Sequence, residues 1–249
     1  MLKKERQALI LREVNLHNKV LHTDLSQQLN VSEDTIRRDL VELSEEGKVM
    51  KVRGGALSKS FHVYSYKKSE IYKYEEKTSI ARKAVTLLSD GMLVLISGGT
   101  TNLEFARILP PELQVTFYTG SLPTAMQLAE HPGSETIFIG GRISKNAKIS
   151  TGGEVINTLH GIRPDICLMG TNSIDSRVGL TDSDWEVVDV KKTMIQISEK
   201  VAVLSISDKL QSSKKIKICD INDVDYLITE LSPNDPLLAP YHEASLKVL

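Results

Sequence analysis

Cysteine is nearly missing from this 249-residue chain, with only Cys167 and Cys219 present. Two thiols are too few for a disulfide framework or a cysteine-based zinc site, and their apolar neighbours suit buried, reduced side chains. The six histidines are scattered without metal-ligand spacing, so neither a metal nor a cofactor is expected. Fifteen Gly and eight Pro are too few for a fibrous or low-complexity chain. No apolar run reaches the ~18 residues of a membrane span. The opening Met1-Leu2-Lys3-Lys4-Glu5-Arg6 lacks the apolar core of a signal peptide, so a cytoplasmic protein with no membrane partner is expected. The chain also lacks Gly-x-x-x-x-Gly-Lys-Ser/Thr and Gly-x-Gly-x-x-Gly, which leaves nucleoside triphosphate and dinucleotide binding unsupported. No Gly-x-Ser-x-Gly elbow frames Ser97 or Ser121.

What is present suits one or two globular domains, at about 150 residues each. Hydrophobic residues make up 41% and charged residues 25%, enough to build a core in both halves. The net charge of −1 hides a mild asymmetry. Residues 1–77 hold 15 Lys/Arg against 12 Asp/Glu, and the rest hold 16 against 20. A basic front permits nucleic-acid binding without requiring it. Composition shifts across 58–77, a polar and aromatic stretch without steady period, which reads as a connector between a 1–57 domain and a 78–249 domain. Its tyrosines Tyr64, Tyr66, Tyr72 and Tyr74 recur at even spacing, as if to pack the connector or to stack on single-stranded nucleic acid.

The front reads as three helices and a small β-wing. Lys3 to about Leu16 mixes Ala8, Leu9, Val14 and Leu16 with charges, as a helix does. Val20-Leu21-His22 suits a short strand, and Thr23 offers an N-cap to a helix with Leu25 and Leu29 on one face. Asn30-Val31-Ser32 breaks that pattern. Ser32 caps the next helix, Glu33 and Asp34 complement its dipole, and Ile36, Leu40 and Leu43 form a buried stripe. Lys48–Arg53 alternates as an edge strand would, with Gly54-Gly55 as its turn. Two short helices meeting at a tight turn are helix-turn-helix geometry. With the stripe inward, Asp34, Thr35 and Arg38 project outward and Arg37 flanks them. Such a face suits a major groove, and Lys48, Lys51 and Arg53 can add phosphate contacts. The plainer alternative is that Arg37 and Arg38 form surface ion pairs with Glu33, Asp34 or Glu42.

Behind the connector, strand patterns at 92–96, 115–118, 136–139, 165–169, 201–205 and 226–229 alternate with helical ones at 76–88, 103–109, 122–130, 153–159 and 186–198. This rhythm predicts a mostly parallel, doubly wound α/β sheet, in which ligands sit at the carboxyl ends of strands. Small and hydroxyl residues recur there: Ser97-Gly98-Gly99-Thr100-Thr101-Asn102, Thr119-Gly120-Ser121, Gly140-Gly141-Arg142 and Gly170-Thr171-Asn172-Ser173. Gly lets a ligand approach the backbone, and N–H and hydroxyl groups at a helix start can cradle a phosphate. One such turn means little, since left-handed turns favour Gly in any case. Four on one sheet edge point to a polar small-molecule pocket. Asp182, Asp184 and Glu186 could cluster there with Lys191, and the lone Trp185 could cover a ligand or simply pack.

The run Val31-Ser32-Glu33-Asp34-Thr35-Ile36-Arg37-Arg38-Asp39-Leu40, followed by Leu43, Gly47 and Arg53-Gly54-Gly55-Ala56, resembles the DeoR-type bacterial transcription regulators. The resemblance places Ser32, Thr35, Arg37 and Arg38 on a recognition helix reading a double-stranded DNA operator. It extends through Gly99-Thr100-Thr101, Ile139-Gly140-Gly141, Gly170, Gly179-Leu180-Thr181, Val190-Lys191 and Asp208-Lys209, nearly the whole chain. It implies an isomerase/deaminase/CoA-transferase-like effector domain that senses a phosphorylated sugar, with Glu186, Lys191 and Lys209 beside the loops above. It also implies a homo-oligomer, dimer or tetramer, and a repressor of a sugar catabolic operon. Three departures mark this chain: Thr119-Gly120-Ser121 for Thr-Asn-Ser, a carboxylate at Glu186 one position early, and Asp208-Lys209 for Asp-x-Ser-Lys. The alternative is a sugar-phosphate isomerase- or deaminase-like enzyme. Against it, ribose-phosphate isomerases of this fold carry Asp-Gly-Ala-Asp where this chain has Met169-Gly170-Thr171-Asn172, so both acids are gone.

Overall fold

The computed structural model describes residues 1–17, 19–59 and 71–249. The chain divides into two compact units, Met1–Tyr74 and Glu75–Leu249. Tyr64 and Tyr66, and residues 60–70 of the expected connector, lie outside the described residues.

The first unit runs α1 (Lys3–His17), β1 (Lys19–Leu21), α2 (His22–Leu29), α3 (Glu33–Glu45), β2 (Val49–Val52) and β3 (Gly55–Ser58). Ile36, Leu40 and Leu43 of α3 are all buried, as their spacing predicts, and join Ile10, Val14 and Leu25 from the other helices in one core. Between α2 and α3 the chain turns at Asn30, which is left-handed and donates its N–H to the Ser26 carbonyl, while Ser26 Oγ donates to Val31 O. Ser32 caps α3, accepting from Thr35 N.

Two local expectations for this unit need correction. Thr23 does not cap α2, which starts at His22 with Leu21 as its uncapped predecessor. The His22 N–H instead donates to Gly54 O of the wing turn, so tertiary contact supplies what a side chain was expected to supply. Gly55 is not part of the turn. It opens β3, the central strand of a β1-β3-β2 sheet, paired with Leu21 on one side and Val52 on the other.

The second unit begins with α4 (Tyr74–Val85) and continues β4 (Leu93–Ile96), α5 (Thr100–Arg107), β5 (Thr116–Thr119), α6 (Leu122–Leu128) and β6 (Glu135–Phe138). A small hairpin follows, β7 (Arg142–Ile143) and β8 (Ser150–Thr151), and then α7 (Gly153–His160) and β9 (Ile166–Gly170). The remainder is β10 (Ser173–Asp175), β11 (Gly179–Asp182), α8 (Trp185–Ile197), β12 (Lys200–Leu204), β13 (Ile216–Cys219), β14 (Tyr226–Ile228) and β15 (Lys247–Val248). Seven strands pair in the order β15-β14-β12-β9-β4-β5-β6, every pair parallel. The chain leaves β4 toward β5 and β6, then returns to build β9, β12, β14 and β15 on the other side. The order therefore reverses between β4 and β9, where open α/β sheets bind ligands.

The short strands β10, β11 and β13 form a separate antiparallel sheet that periodicity did not reveal. Helix α5 starts three residues earlier than expected. Thr100, Thr101 and Asn102 are weak helix formers, but all three are buried and packing overrides propensity. Cys167 and Cys219 are buried, and burial pushes both thiols up to about 12, which leaves them inert. Among the described residues no helix is long and apolar enough to cross a membrane.

Gly55 and Gly54 make a paired test. A Cβ on Gly55 would sit 1.8 Å from the Val20 carbonyl oxygen, whereas Gly54 has open space around it and a φ of +84°. Gly55→Ala is expected to cost more than ~3 kcal/mol by forcing the β1–β3 backbones apart. Gly54→Ala should cost only ~1–2 kcal/mol, the penalty of a left-handed alanine. Urea unfolding followed by circular dichroism measures both, and equal losses would refute the steric account.

Candidate functional site

In the first unit, α3 carries two networks of opposite character. On its inner side Asp39 is almost fully buried and takes a bidentate pair from Arg6 of α1, with Nε at 2.5 Å and Nη2 at 3.2 Å. Next to it Glu42 accepts from Lys3 at 2.6 Å and from Gln7 at 2.8 Å, contacts that hold its carboxyl below the usual range. These bonds fix α3 against α1. On the outer side Arg37 Nη1 lies 2.9 Å from Asp34 Oδ1, both side chains being exposed. Ser32 Oγ and Thr35 Oγ1 are 2.9 Å apart and engaged with each other at the cap. The exposed Arg38 makes no hydrogen bond or ion pair among the described residues.

The surface-ion-pair alternative therefore holds for Arg37 and fails for Arg38. On the wing, Lys51 and Arg53 are exposed and equally uncommitted, while Lys48 Nζ lies 2.6 Å from Glu46. The helix that sequence placed in a groove thus presents a guanidinium without a partner among the described residues, and the wing of the same unit presents two cations in the same condition.

In the second unit, the parallel register gathers the predicted loops on one sheet edge. Where the sheet order reverses, they are knitted together. Gly170 N donates to Ser97 Oγ at 2.8 Å. The buried Asn102 amide donates to Ser97 O (2.9 Å), Ser97 Oγ (3.0 Å) and Leu168 O (3.2 Å), while its Oδ1 has no partner among the described residues. A side chain on Gly170 would meet Gly98 O at 2.8 Å, so the close approach of these loops requires glycine. Gly99, at φ +120°, precedes α5 without any side-chain cap, leaving the first-turn N–H groups at Thr100 and Thr101 without one.

Several hydroxyls expected to face a ligand are spent internally. Thr119 Oγ1 accepts from Ser121 N, Ser121 Oγ caps α6 and accepts from Thr124, and Thr171 Oγ1 donates to Ser173 O. Gly140 and Gly141 are exposed where the β7–β8 hairpin begins. That hairpin crosses the loops: Ser150 N donates to Gly120 O, and Ile149 lies so near Gly98 that an added Cβ would be 2.9 Å from its side chain.

The charged residues gather at the carboxyl ends of β9 and β12. Asp182, buried at the end of β11, holds Lys191 Nζ at 3.0 Å and the Asn172 amide at 2.9 Å, and accepts from Ser183 N at 2.7 Å. Burial alone would raise the Asp182 carboxyl, but Lys191, Asn172 and Ser183 outweigh it and keep it below the usual range. Lys209, in a short 3-10 turn after β12, donates to Thr171 O at 2.7 Å and has no ion-pair partner among the described residues. Its side chain is still partly exposed, yet the surrounding protein and the Lys191 charge push it down to about 8 against the pull of Asp182.

The expected cluster of Asp182, Asp184 and Glu186 does not form. Asp184 caps α8, accepting from Glu186 N, and the exposed Glu186 pairs with Arg142 of β7 on the rim. Trp185 is 65% exposed beside that rim and does not pack in the core. Among the described residues no His, Cys, Asp and Glu group is placed to hold a metal ion. Sequence reasoning missed three contributors: Arg6, the anchoring role of Asp182, and Ser150, whose buried Oγ has no partner among the described residues. No motif spacing links these residues to their partners, which lie 33 positions away for Arg6 and nine for Asp182.

Residues 6–61 match the DeoR-like helix-turn-helix domain, and residues 72–231 match the DeoR C terminal sensor domain. The chain is 34% identical to the HTH-type transcriptional repressor GlcR of Bacillus subtilis (strain 168), over 94% of this chain and 91% of that protein. It is 30% identical to the HTH-type transcriptional regulator GolR of Listeria innocua, over 98% and 97%. It is 26% identical to the L-fucose operon activator of Escherichia coli (strain K12), over 92% and 96%. Among solved structures, ribose 5-phosphate isomerase A of Methanocaldococcus jannaschii aligns with a TM-score of 0.43 and 19% identity, over 56% of this chain and 55% of that one.

The two faces of α3 should respond differently to loss of an acid. Asp39→Ala leaves Arg6 as an unpaired, mostly buried cation and should cost ~3 kcal/mol or more. Asp34→Ala breaks an exposed pair and should cost less than ~1 kcal/mol. Denaturant titration of the full chain measures both, and an Asp39→Ala loss no larger than that of Asp34→Ala would refute the anchoring role.

Proposed function

Since the chain belongs to the DeoR family of transcriptional regulators, which join a DNA-binding helix-turn-helix to a sensor domain, we propose that it is a cytoplasmic repressor of a sugar catabolic operon, controlled by a phosphorylated sugar. As a homo-oligomer, dimer or tetramer, it brings two or more copies of α3 to repeated half-sites of a double-stranded operator. On the DNA side Arg38 reads a base edge, Ser32, Asp34, Thr35 and Arg37 complete the face, and Lys51 and Arg53 hold phosphates. Lys48 contributes only if it leaves Glu46. The relatives' names support the two halves of the reading separately: one is a repressor, and another, though an activator, regulates an operon named for a sugar. The sensor changes DNA affinity by binding its ligand differently in two arrangements of the protein, and the 58–77 connector carries that difference.

The observation that carries the choice of effector is Lys209. It is an ammonium drawn into the protein beside Lys191 with no ion-pair carboxylate among the described residues, at the carboxyl ends of β9 and β12. Lys191, Lys209 and Asp182 leave one positive charge over, which an anion would neutralise. The uncapped start of α5 at Thr100 and Thr101 offers N–H donors on the same edge, with Gly98 and Gly99 leaving room. Asn172 and Lys191, oriented by Asp182, suit sugar hydroxyls. Glu186 and Arg142 form a rim contact beside the exposed Trp185.

Binding of duplex DNA from upstream of the chain's own gene, followed by polarisation, tests the DNA side. Arg38→Ala should weaken binding at least tenfold, the rough value of one bidentate base contact. Unchanged affinity would remove the assigned face.

Thermal-shift screening with phosphosugars tests the sensor, since a ligand bound only by the folded state raises the midpoint. The sign of its pH dependence follows from Lys209. Its folded value of about 8 lies below the unfolded 10.5, so between those values the unfolded chain binds more protons and this residue's penalty fades as pH rises. An anion needs the ammonium charged, so the ligand-induced shift should be full at pH 7 and shrink as pH climbs past 8. Lys209→Met should abolish the shift without lowering the midpoint of the free protein. A shift that persists in Lys209→Met would overturn this placement of the phosphate.

A further inference from the structure

The outer face of α3 carries an acid where a polyanion would approach. Asp34 is exposed in the first turn of α3, at the end of the helix that leads into a groove, and its Oδ1 accepts from Arg37 Nη1 at 2.9 Å. A bare carboxylate there repels phosphate oxygens and weakens every non-specific contact. It is not needed for the helix dipole, because Glu33 already occupies the same turn. As an exposed surface ion pair it contributes little to stability.

The hydrogen bond leaves much in reserve. Oδ2 of Asp34 has no partner among the described residues, and Arg37 keeps donors beyond the one it has spent. The other polar groups on this face are committed differently. Ser32 and Thr35 bond each other at the cap, and Arg38 has no partner among the described residues.

We propose that Asp34 is a specificity-determining residue: it holds the Arg37 fork for a guanine, and its free oxygen accepts from the N4 amino group of a cytosine. The chemistry of the groove selects that partner. A carboxylate only accepts, and the major-groove edge offers just two donors, cytosine N4 and adenine N6. Adenine sets its N7 lone pair beside N6, which repels a carboxylate, whereas cytosine has no acceptor beside N4. Guanine O6 and N7 repel Asp34 and suit Arg37. The Asp34–Arg37 unit therefore favours G·C pairs under the first turns of α3 and penalises every other sequence, while Arg38 supplies an independent contact. This inference rests on α3 being the recognition helix.

The test is selection of duplexes from a pool with a randomised core, using the full-length wild type, Asp34→Ala and Asp34→Asn. The exposed position makes both variants compatible with folding, which a thermal melt verifies. The wild type should enrich a motif with strict G·C positions. Asp34→Ala should enrich the same motif with one or two of those positions relaxed, discrimination there falling about tenfold or more. Its affinity for unrelated duplex should rise, because a negative charge facing phosphate is gone. Asp34→Asn should shift one position toward adenine, since an amide matches the N6/N7 pair. A motif of unchanged strictness in Asp34→Ala would overturn the proposal while leaving the recognition helix in place. Failure of the wild type to enrich any motif would overturn the DNA-binding reading itself.

Discussion

Parallel pairing of β4 with both β5 and β9 is the constraint on which the second unit depends. Strands running in one direction place all their carboxyl ends on one edge, so loops separated by tens of residues meet there. Ser97, Gly170 and Asn102 then close the gap where the order reverses, with Gly170 as the residue that lets the backbones approach. Once those three are joined, the hydroxyls nearest them no longer face outward. The polar character of the edge passes to Asp182, Asn172, Lys191 and Lys209, whose charges do not cancel. That edge keeps a surplus cation among the described residues and a helix start without a side-chain cap.

The first unit solves a different electrostatic problem. Its recognition candidate must show cations outward while packing on an apolar core. The acids on α3 divide that work. Asp39 faces inward and pairs with Arg6, Glu42 binds Lys3 and Gln7, and Asp34 faces outward to restrain Arg37. The inner bonds lie where water is scarce and losing one partner is expensive. The outer one is exposed and contributes little to stability.

Much of this was legible from periodicity. The Ile36, Leu40 and Leu43 stripe needs only a helical repeat to be recognised, and Ser32 as a cap needs only its short hydroxyl before a charged first turn. The alternation of strands and helices implied the parallel sheet, because a parallel pair requires a crossover. Errors fell where a distant group did a local job. Thr23 looked like a cap, but Gly54 O satisfied the helix start. Gly55 looked like a turn residue, but Val20 needed the space of its missing side chain. Thr100–Asn102 were read as a loop ahead of the helix, but burial placed them in its first turn.

The alternation of the main helices and parallel strands, the buried stripes, the faces of α3 and the list of residues at strand ends were determined by sequence alone, because each depends on contacts within a few residues. Which of those end residues remain free was decided only by the tertiary structure. Hydrogen bonds and charges act over ångströms in space, not over positions in the chain. Asp182 became the anchor of Lys191, Glu186 was drawn to Arg142, and Lys209 was left without an ion-pair partner among the described residues by strands brought side by side from distant parts of the unit.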